Sequence, residues 1–184
     1  MTRPGMHEYF MRIAMTVRLR ADCTGNRVGS VIVLDRRIVS TGYNGTPEKM
    51  PNCTEGGCER CANREQYPSG TGYDLCICVH AEQNALLAAA RFGIAVEGGT
   101  LYTTMRPCFG CTKEMLQARI HEVYYLHDWI YPDATKHAQY ERIQARFPGG
   151  IHRLEIDDPD ADWAITTRRP AADLEPDEIG HTAL

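Results

Sequence analysis

No run of about 18 apolar residues interrupts this chain, which excludes a bilayer-spanning helix of the usual kind. The first residues set Arg3, His7, Glu8 and Arg12 among apolar neighbours, so the apolar core of a secretion signal is lacking too. The expected location is the cytoplasm, away from any membrane. Nor is there an excess of basic charge: 20 Lys and Arg against 24 Asp and Glu leave a net charge of -4. A surface that tracks a phosphate backbone needs dense Lys and Arg, so long nucleic acid is not an expected partner and a small ligand is. No internal repeat is visible.

What the chain does have is cysteine. Its 184 residues, 43% hydrophobic, suit one domain with a real core, and eight cysteines is a high count for that length. In an oxidising compartment they would read as disulfides. Without a secretion signal the same count reads as thiolate metal ligands, which points to zinc.

Met6, Tyr9, Phe10, Ile13, Val17 and Leu19 recur mostly at spacings of three and four, an apolar stripe that predicts a helix over 6–20. Two β-branched runs, Val28 to Leu34 and Ile38-Val39, joined by Asp35-Arg36-Arg37, predict a hairpin whose first strand is covered on both faces. From 43 to 78 the chain is rich in Gly, Pro, Asn and Cys; such a stretch inside a compact domain signals a functional or cross-linked loop. Beyond it come a helix over 82–92 closed by Gly93, a strand over 100–104, a helix over 108–118, a strand over 122–126, a helix over 134–147 and a strand over 151–156. This alternation predicts an α/β protein: a three-layer α/β/α sandwich on a mixed, largely parallel sheet of about five strands, entered through an antiparallel hairpin. The domain is read as 1–156. Residues 157–184, carrying Asp157-Asp158-Pro159-Asp160, Arg168-Arg169-Pro170 and Glu175-Pro176-Asp177-Glu178, read as an acidic surface tail with Trp163 pinning it to the body.

The chemistry sits at two helix starts, His80-Ala81-Glu82 and Pro107-Cys108-Phe109-Gly110-Cys111. In a helix Cys108 and Cys111 share a face, and Pro107 suits the first turn, where a missing N–H costs nothing. The positive end of a helix lowers thiol pKa, favouring the thiolate that zinc requires. One imidazole and two thiolates leave the fourth tetrahedral position for water, the mark of a catalytic site; a structural knot would need a fourth protein ligand. Glu82 lies about 200° around an ideal helix from His80, so it is placed to reach that water and not the metal, and it is the expected proton carrier. H-x-E followed by P-C-x-x-C is the signature of zinc nucleobase deaminases, and the sequence resembles the cytidine deaminase superfamily.

Within that superfamily, Gly42-Tyr43-Asn44-Gly45-Thr46-Pro47, His80-Ala81-Glu82-Gln83-Asn84-Ala85 and Tyr102-Thr103-Thr104 with Pro107-Cys108 and Cys111 resemble the deoxycytidylate deaminases, over about residues 6 to 130. The bland reading of the first segment is a tight turn, since Asn-Gly and Pro are turn formers. The resemblance implies deamination of dCMP to dUMP and ammonia, supplying dUMP for dTTP synthesis. It further implies substrate contacts from Asn44 and the backbone of Ala81, Tyr125 lining the pocket, a hexamer, and dCTP and dTTP as allosteric effectors. A nucleotide's phosphate needs cationic or N–H donors; Arg27, Arg106 and Lys113 are the candidates. Cys23, Cys53, Cys58 and Cys76 fall where some members of the family have cysteines and certain members carry a second, structural zinc. Cys58-x-x-Cys61 and Cys76-x-Cys78 offer competing ligand pairs, so the identity of the four stays open. Competing functions are deamination of dCTP, of a 5-modified dCMP or of a tRNA adenosine, and a catalytically silent zinc-binding accessory role. Retention of Glu82 favours activity.

Overall fold

The computed structural model describes residues 3–67 and 71–165. Helix α1 (Met6–Arg18) turns Phe10, Met11, Ala14 and Met15 inward, as its apolar stripe requires. Strands β1 (Gly29–Leu34) and β2 (Arg37–Tyr43) form the hairpin, and Asp35 and Arg36 both take positive φ, 50° and 63°. That is the conformation a two-residue turn needs if its twist is to match the strands. Strand β2 runs well past Ile38-Val39 because small and polar residues fill its buried positions: the Ser40 hydroxyl donates to the carbonyl of Ala85 at 2.6 Å.

The loop expected over 43–78 holds a single helical turn, α2 (Glu59–Ala62), between two 3-10 turns at Cys53–Glu55 and Arg64–Gln66. In place of an aliphatic core it packs buried cysteines against one another. There follow α3 (Ala81–Arg91), β3 (Thr100–Met105), α4 (Phe109–Gln117), β4 (Glu122–His127), α5 (Ala134–Gln144), β5 (Gly150–Arg153) and a short α6 (Ala161–Ala164).

The five strands lie in the order β2-β1-β3-β4-β5. Strand β1 is antiparallel to both β2 and β3, while β3, β4 and β5 run parallel, so the sheet is mixed, with β1 alone reversed against four strands of one direction, as the opening hairpin leads one to expect. Side chains alternate across it. Val31, Val33, Tyr102 and Leu126 meet α1 on one face; Ile32, Leu101 and Val123 meet Ala85 of α3 and Met115 of α4 on the other. The result is a three-layer α/β/α sandwich, and it explains why β1 is apolar nearly throughout. At Gly29 an added Cβ would lie 2.2 Å from the carbonyl oxygen of Ala14, so α1 rests directly on the backbone of β1.

Residues 157–165 pack on this body. Arg18, wholly buried, donates from Nη1 and Nη2 to the two carboxylate oxygens of Asp158, each at 2.7 Å. Such a forked pair is one of the few arrangements that offset the cost of burying both charges. Arg27 donates its backbone N–H to the carbonyl of Ala164 and stacks its guanidinium 4.6 Å above the ring of Trp163. The remainder of the expected tail, 166–184, lies outside the described residues. Among the described residues no helix is long and apolar enough to cross a membrane.

Candidate active site

Two helix N-termini converge at the carboxyl ends of β2 and β3. Helix α3 is held there by main-chain contact: a Cβ on Gly42 would lie 2.1 Å from the carbonyl oxygen of Ala81. The next residues of that segment pair with the chain just ahead of the helix, Val79 donating to Gly45 at 2.8 Å and Gly45 to Val79 at 3.2 Å. His80 caps α3, and its backbone N–H donates to the Gln83 side chain at 2.9 Å.

Cys108 caps α4 in the same way, its sulfur accepting from the Cys111 N–H at 3.5 Å. Pro107 therefore stands just before the cap and not in the first turn. Its carbonyl instead anchors the loop, accepting from the Tyr140 hydroxyl at 2.6 Å and from the Gln144 amide at 3.2 Å. Both donors lie on α5 and are fully buried, so a helix of little apolar character positions the Cys108 loop.

His80 Nδ1 lies 3.4 Å from the sulfur of Cys108 and 3.4 Å from that of Cys111, and the three candidate ligand atoms lie within 4.8 Å of one another. A tetrahedral zinc with bonds of about 2.0–2.1 Å to nitrogen and 2.3 Å to sulfur has an N···S edge of about 3.5 Å. The donor set fits that ion. Contact with Cys111 holds the Cys108 thiol well below its ordinary range, and the same contact pushes Cys111 up. Two touching thiols cannot both ionise cheaply without a cation between them.

Glu82 is 3% exposed and accepts from the Thr103 hydroxyl at 3.0 Å, and burial pushes its carboxyl above the ordinary range. It opens with His80, Ala81 and Cys108 onto a cleft of about 270 Å³.

Of the residues expected to bind substrate, Asn44, Ala81 and Arg106 line this cleft, while Tyr125 and Arg27 are not among its lining residues. Asn44 also ties the β2 end to the chain ahead of β1, since its Oδ1 accepts from Val28 N–H at 2.7 Å and its Nδ2 donates to the Asn26 carbonyl at 2.8 Å. Arg27 is turned to Trp163, with Nη1 donating to its carbonyl at 2.7 Å. Tyr125 is buried in β4, under the guanidinium of Arg106 at 5.6 Å. Lys113 sits over Phe109 and away from the cleft. Arg106 donates from Nε to Gln144 at 2.9 Å and pairs with Asp128 at 3.2 Å. Sequence reasoning missed Arg60, Tyr73 and Trp129 in the lining. Arg60 was signalled only by its place inside Cys58-x-x-Cys61.

The four cysteines Cys23, Cys53, Cys58 and Cys76 do not form one four-ligand group. The structure divides them between two overlapping groups, Cys23, Cys53, Cys61 and Cys78 in one and Cys58, Cys61, Cys76 and Cys78 in the other. The reason is the one-turn helix α2, which carries Cys61 to the middle of the group, where Cys78 meets it.

Residues 4–127 match the model of the cytidine and deoxycytidylate deaminase zinc-binding region. A deoxycytidylate deaminase of Saccharomyces cerevisiae is 42% identical over 123 residues, 67% of this chain and 38% of that protein. The match thus spans under two fifths of the yeast protein's length. The deoxycytidylate deaminase of Mycobacterium phage D29 is 39% identical over 68% of this chain and 97% of its own length. Among solved structures, the dCMP deaminase of cyanophage S-TIM5 in its apo form superposes with a TM-score of 0.61 at 25% identity, covering 83% of this chain and all of that one.

Proposed function

Because the chain belongs to the cytidine and deoxycytidylate deaminase zinc-binding family, we propose that it hydrolyses the 4-amino group of dCMP, releasing dUMP and ammonia and so supplying dUMP for dTTP synthesis. The observation that carries this reading is the meeting of His80, Cys108 and Cys111 with a buried Glu82 at the wall of a cleft. The phage D29 relative, aligned along nearly its whole length, supports the monophosphate as substrate.

His80, Cys108 and Cys111 would hold the zinc ion, which when bound supplies the Lewis acidity that activates water near neutral pH. The remaining chemistry belongs to Glu82. Thr103 occupies its Oε1, which leaves Oε2 to take the proton of the attacking water and carry it to N3 of the cytosine ring. Burial raises the proton affinity of this carboxyl, so it holds the proton until the ring nitrogen gains basicity as the tetrahedral centre forms. Glu82 then moves the proton of the hydroxyl added at C4 to the amino group, the C4–N bond breaks as C4=O forms, ammonia leaves, and Glu82 ends as it began. Arg106, facing the cleft with an exchangeable partner in Asp128, is the phosphate contact in this reading, and Asn44 with the backbone of Ala81 frames the base. Tyr125 acts at one remove, through Arg106. A homohexamer in the cytoplasm, with dCTP and dTTP as effectors, extends the reading and is supported by the family resemblance.

An absorbance assay across cytidine, dCMP, dCTP and 5-substituted dCMP tests the assignment. The expected preference is for dCMP. Faster turnover of the nucleoside or the triphosphate would overturn it.

A further inference from the structure

Six cysteines take no part in the His80, Cys108 and Cys111 donor set, and their arrangement exceeds what one metal ion can use. Cys23, Cys53, Cys61 and Cys78 have sulfurs within 4.8 Å of one another, and so have Cys58, Cys61, Cys76 and Cys78. Cys61 and Cys78 belong to both groups. Two sulfur pairs are resolved more finely, Cys23 with Cys61 at 3.8 Å and Cys58 with Cys76 at 3.9 Å. These are not disulfides, which need sulfurs about 2.0 Å apart, and all eight cysteines are free thiols. They match the edge of a tetrahedron of sulfurs around zinc, about 3.8 Å for bonds of about 2.3 Å.

From this we infer that the six thiolates hold two zinc ions, Cys23 and Cys53 completing one tetrahedron and Cys58 and Cys76 the other, with Cys61 and Cys78 bridging both metals. A single ion in the first group would strand Cys58, fully buried, and Cys76, and one in the second would strand Cys23 and Cys53, both buried, against sulfurs already bound. The second ion uses both. Six thiolates and two divalent ions carry a net charge of about -2, and the surroundings are built to receive it. Gly25 N–H donates to Cys23 at 3.3 Å and Thr24 N–H to Cys53 at 3.5 Å, while the buried Arg60 lines the same cleft wall as Cys76. With four sulfurs on each metal and no open position, the cluster is structural. It replaces the aliphatic core that the 43–78 loop lacks. Cys23, Cys61, Cys76 and Cys78 also line the active-site cleft, so the cluster forms one of its walls.

The test is metal stoichiometry on the full chain, loaded with zinc under reducing conditions, desalted and counted by mass spectrometry of the metal. One zinc at His80 and two more in the cluster are expected. The double substitution Cys108→Ala, Cys111→Ala should lose only one of the three, and Cys61→Ser, which removes a bridge, should lose both cluster ions. Because Cys61→Ser can simply fail to fold, the unaltered chain should also be loaded with 113Cd. Two thiolate resonances coupled to each other through shared sulfurs are expected. A total of two zinc ions or fewer, two cadmium sites without mutual coupling, or disulfides in the cluster after reduction and loading would each overturn the inference. The count in the Cys108, Cys111 variant is independent of whether the enzyme acts on dCMP.

Discussion

Replacing Glu82 by Gln is the sharpest perturbation of the proposed chemistry. The two side chains are nearly the same size, so the 3% exposed site need not repack, and the Gln carbonyl can still accept from the Thr103 hydroxyl that stands 3.0 Å from Oε1. What is lost is the ability to take a proton and return it. General acid–base catalysis contributes about 10²- to 10⁴-fold, or about 3 to 5 kcal/mol of barrier, and Glu82 acts in both directions of transfer, so the loss in kcat should lie toward the upper end. KM for dCMP should move little, because binding groups elsewhere in the cleft are untouched. Thr103→Val should cost less, about tenfold, since it removes one hydrogen bond to a charged group and leaves the carboxylate in place. Steady-state kinetics with zinc content measured on the same samples decides it. Activity within tenfold of the parent would refute the proton role. A large loss accompanied by loss of zinc would show that Glu82 serves the metal and not the proton.

Exhaustive chelation should abolish turnover, and added zinc should restore it, as an assay before and after dialysis will show. Arg106→Ala should raise KM for dCMP about tenfold or more while leaving KM for cytidine nearly unchanged; an equal effect on both would remove Arg106 from phosphate recognition. Gly42→Ala would set a Cβ 2.1 Å from the Ala81 carbonyl and 2.5 Å from the Ala85 nitrogen, both backbone atoms that cannot rotate away. It should cost about 1 to 3 kcal/mol in denaturant unfolding and should lower kcat by shifting the helix that carries Glu82. Asp158→Asn should cost about 3 to 5 kcal/mol at neutral pH, because it leaves the Arg18 charge buried without its counterion. Burial alone would raise the Asp158 pKa, but Arg18 and His127 hold it down at about 2, with Asp160 the further carboxylate near Arg18. That contribution is whole above the ordinary value of 3.8 and fades as pH falls to about 2, so the gap between parent and variant should narrow by about 2 kcal/mol across that window. A gap unchanged at pH 2 would refute the pairing.

The order of elements was legible because each long one carries its own period. The stripe of α1 and the β-branched run of β1 announce themselves within a dozen residues. Strand β2 was legible only in part, since Ser40 and Gly42 occupy buried positions for reasons that lie in α3: one donates to it and the other lets it approach. The candidate metal ligands were legible because zinc chemistry restricts residue type and spacing together. The phosphate candidates were not. A guanidinium reads the same in sequence whether it faces a cleft, as Arg106 does, or stacks on Trp163, as Arg27 does; only the fold distinguishes them. The grouping of the loop cysteines stayed open in the sequence for a related reason. Spacing shows that thiols can meet, but the short helix between Cys58 and Cys61 decides that Cys61 turns toward Cys23 and Cys78.

One stretch of seven residues, 76–82, carries two cluster thiols, the backbone pairing of Val79 with Gly45, the imidazole of His80 and the carboxyl of Glu82. Few apolar side chains anchor it: Ile77 is exposed, and the buried groups around Cys78 are other cysteines. The position of His80 therefore depends on what holds Cys76 and Cys78 on one side and on the start of α3 on the other. The sheet and its two helical layers, by contrast, draw on aliphatic clusters that contain no cysteine of the loop. Damage to the cluster should then be read first at the active site. Cys58→Ala is expected to lower kcat while the unfolding midpoint of the sheet, followed by circular dichroism, moves comparatively little; a fall in both together would mean that the loop cluster is part of the global fold and not a local support for His80.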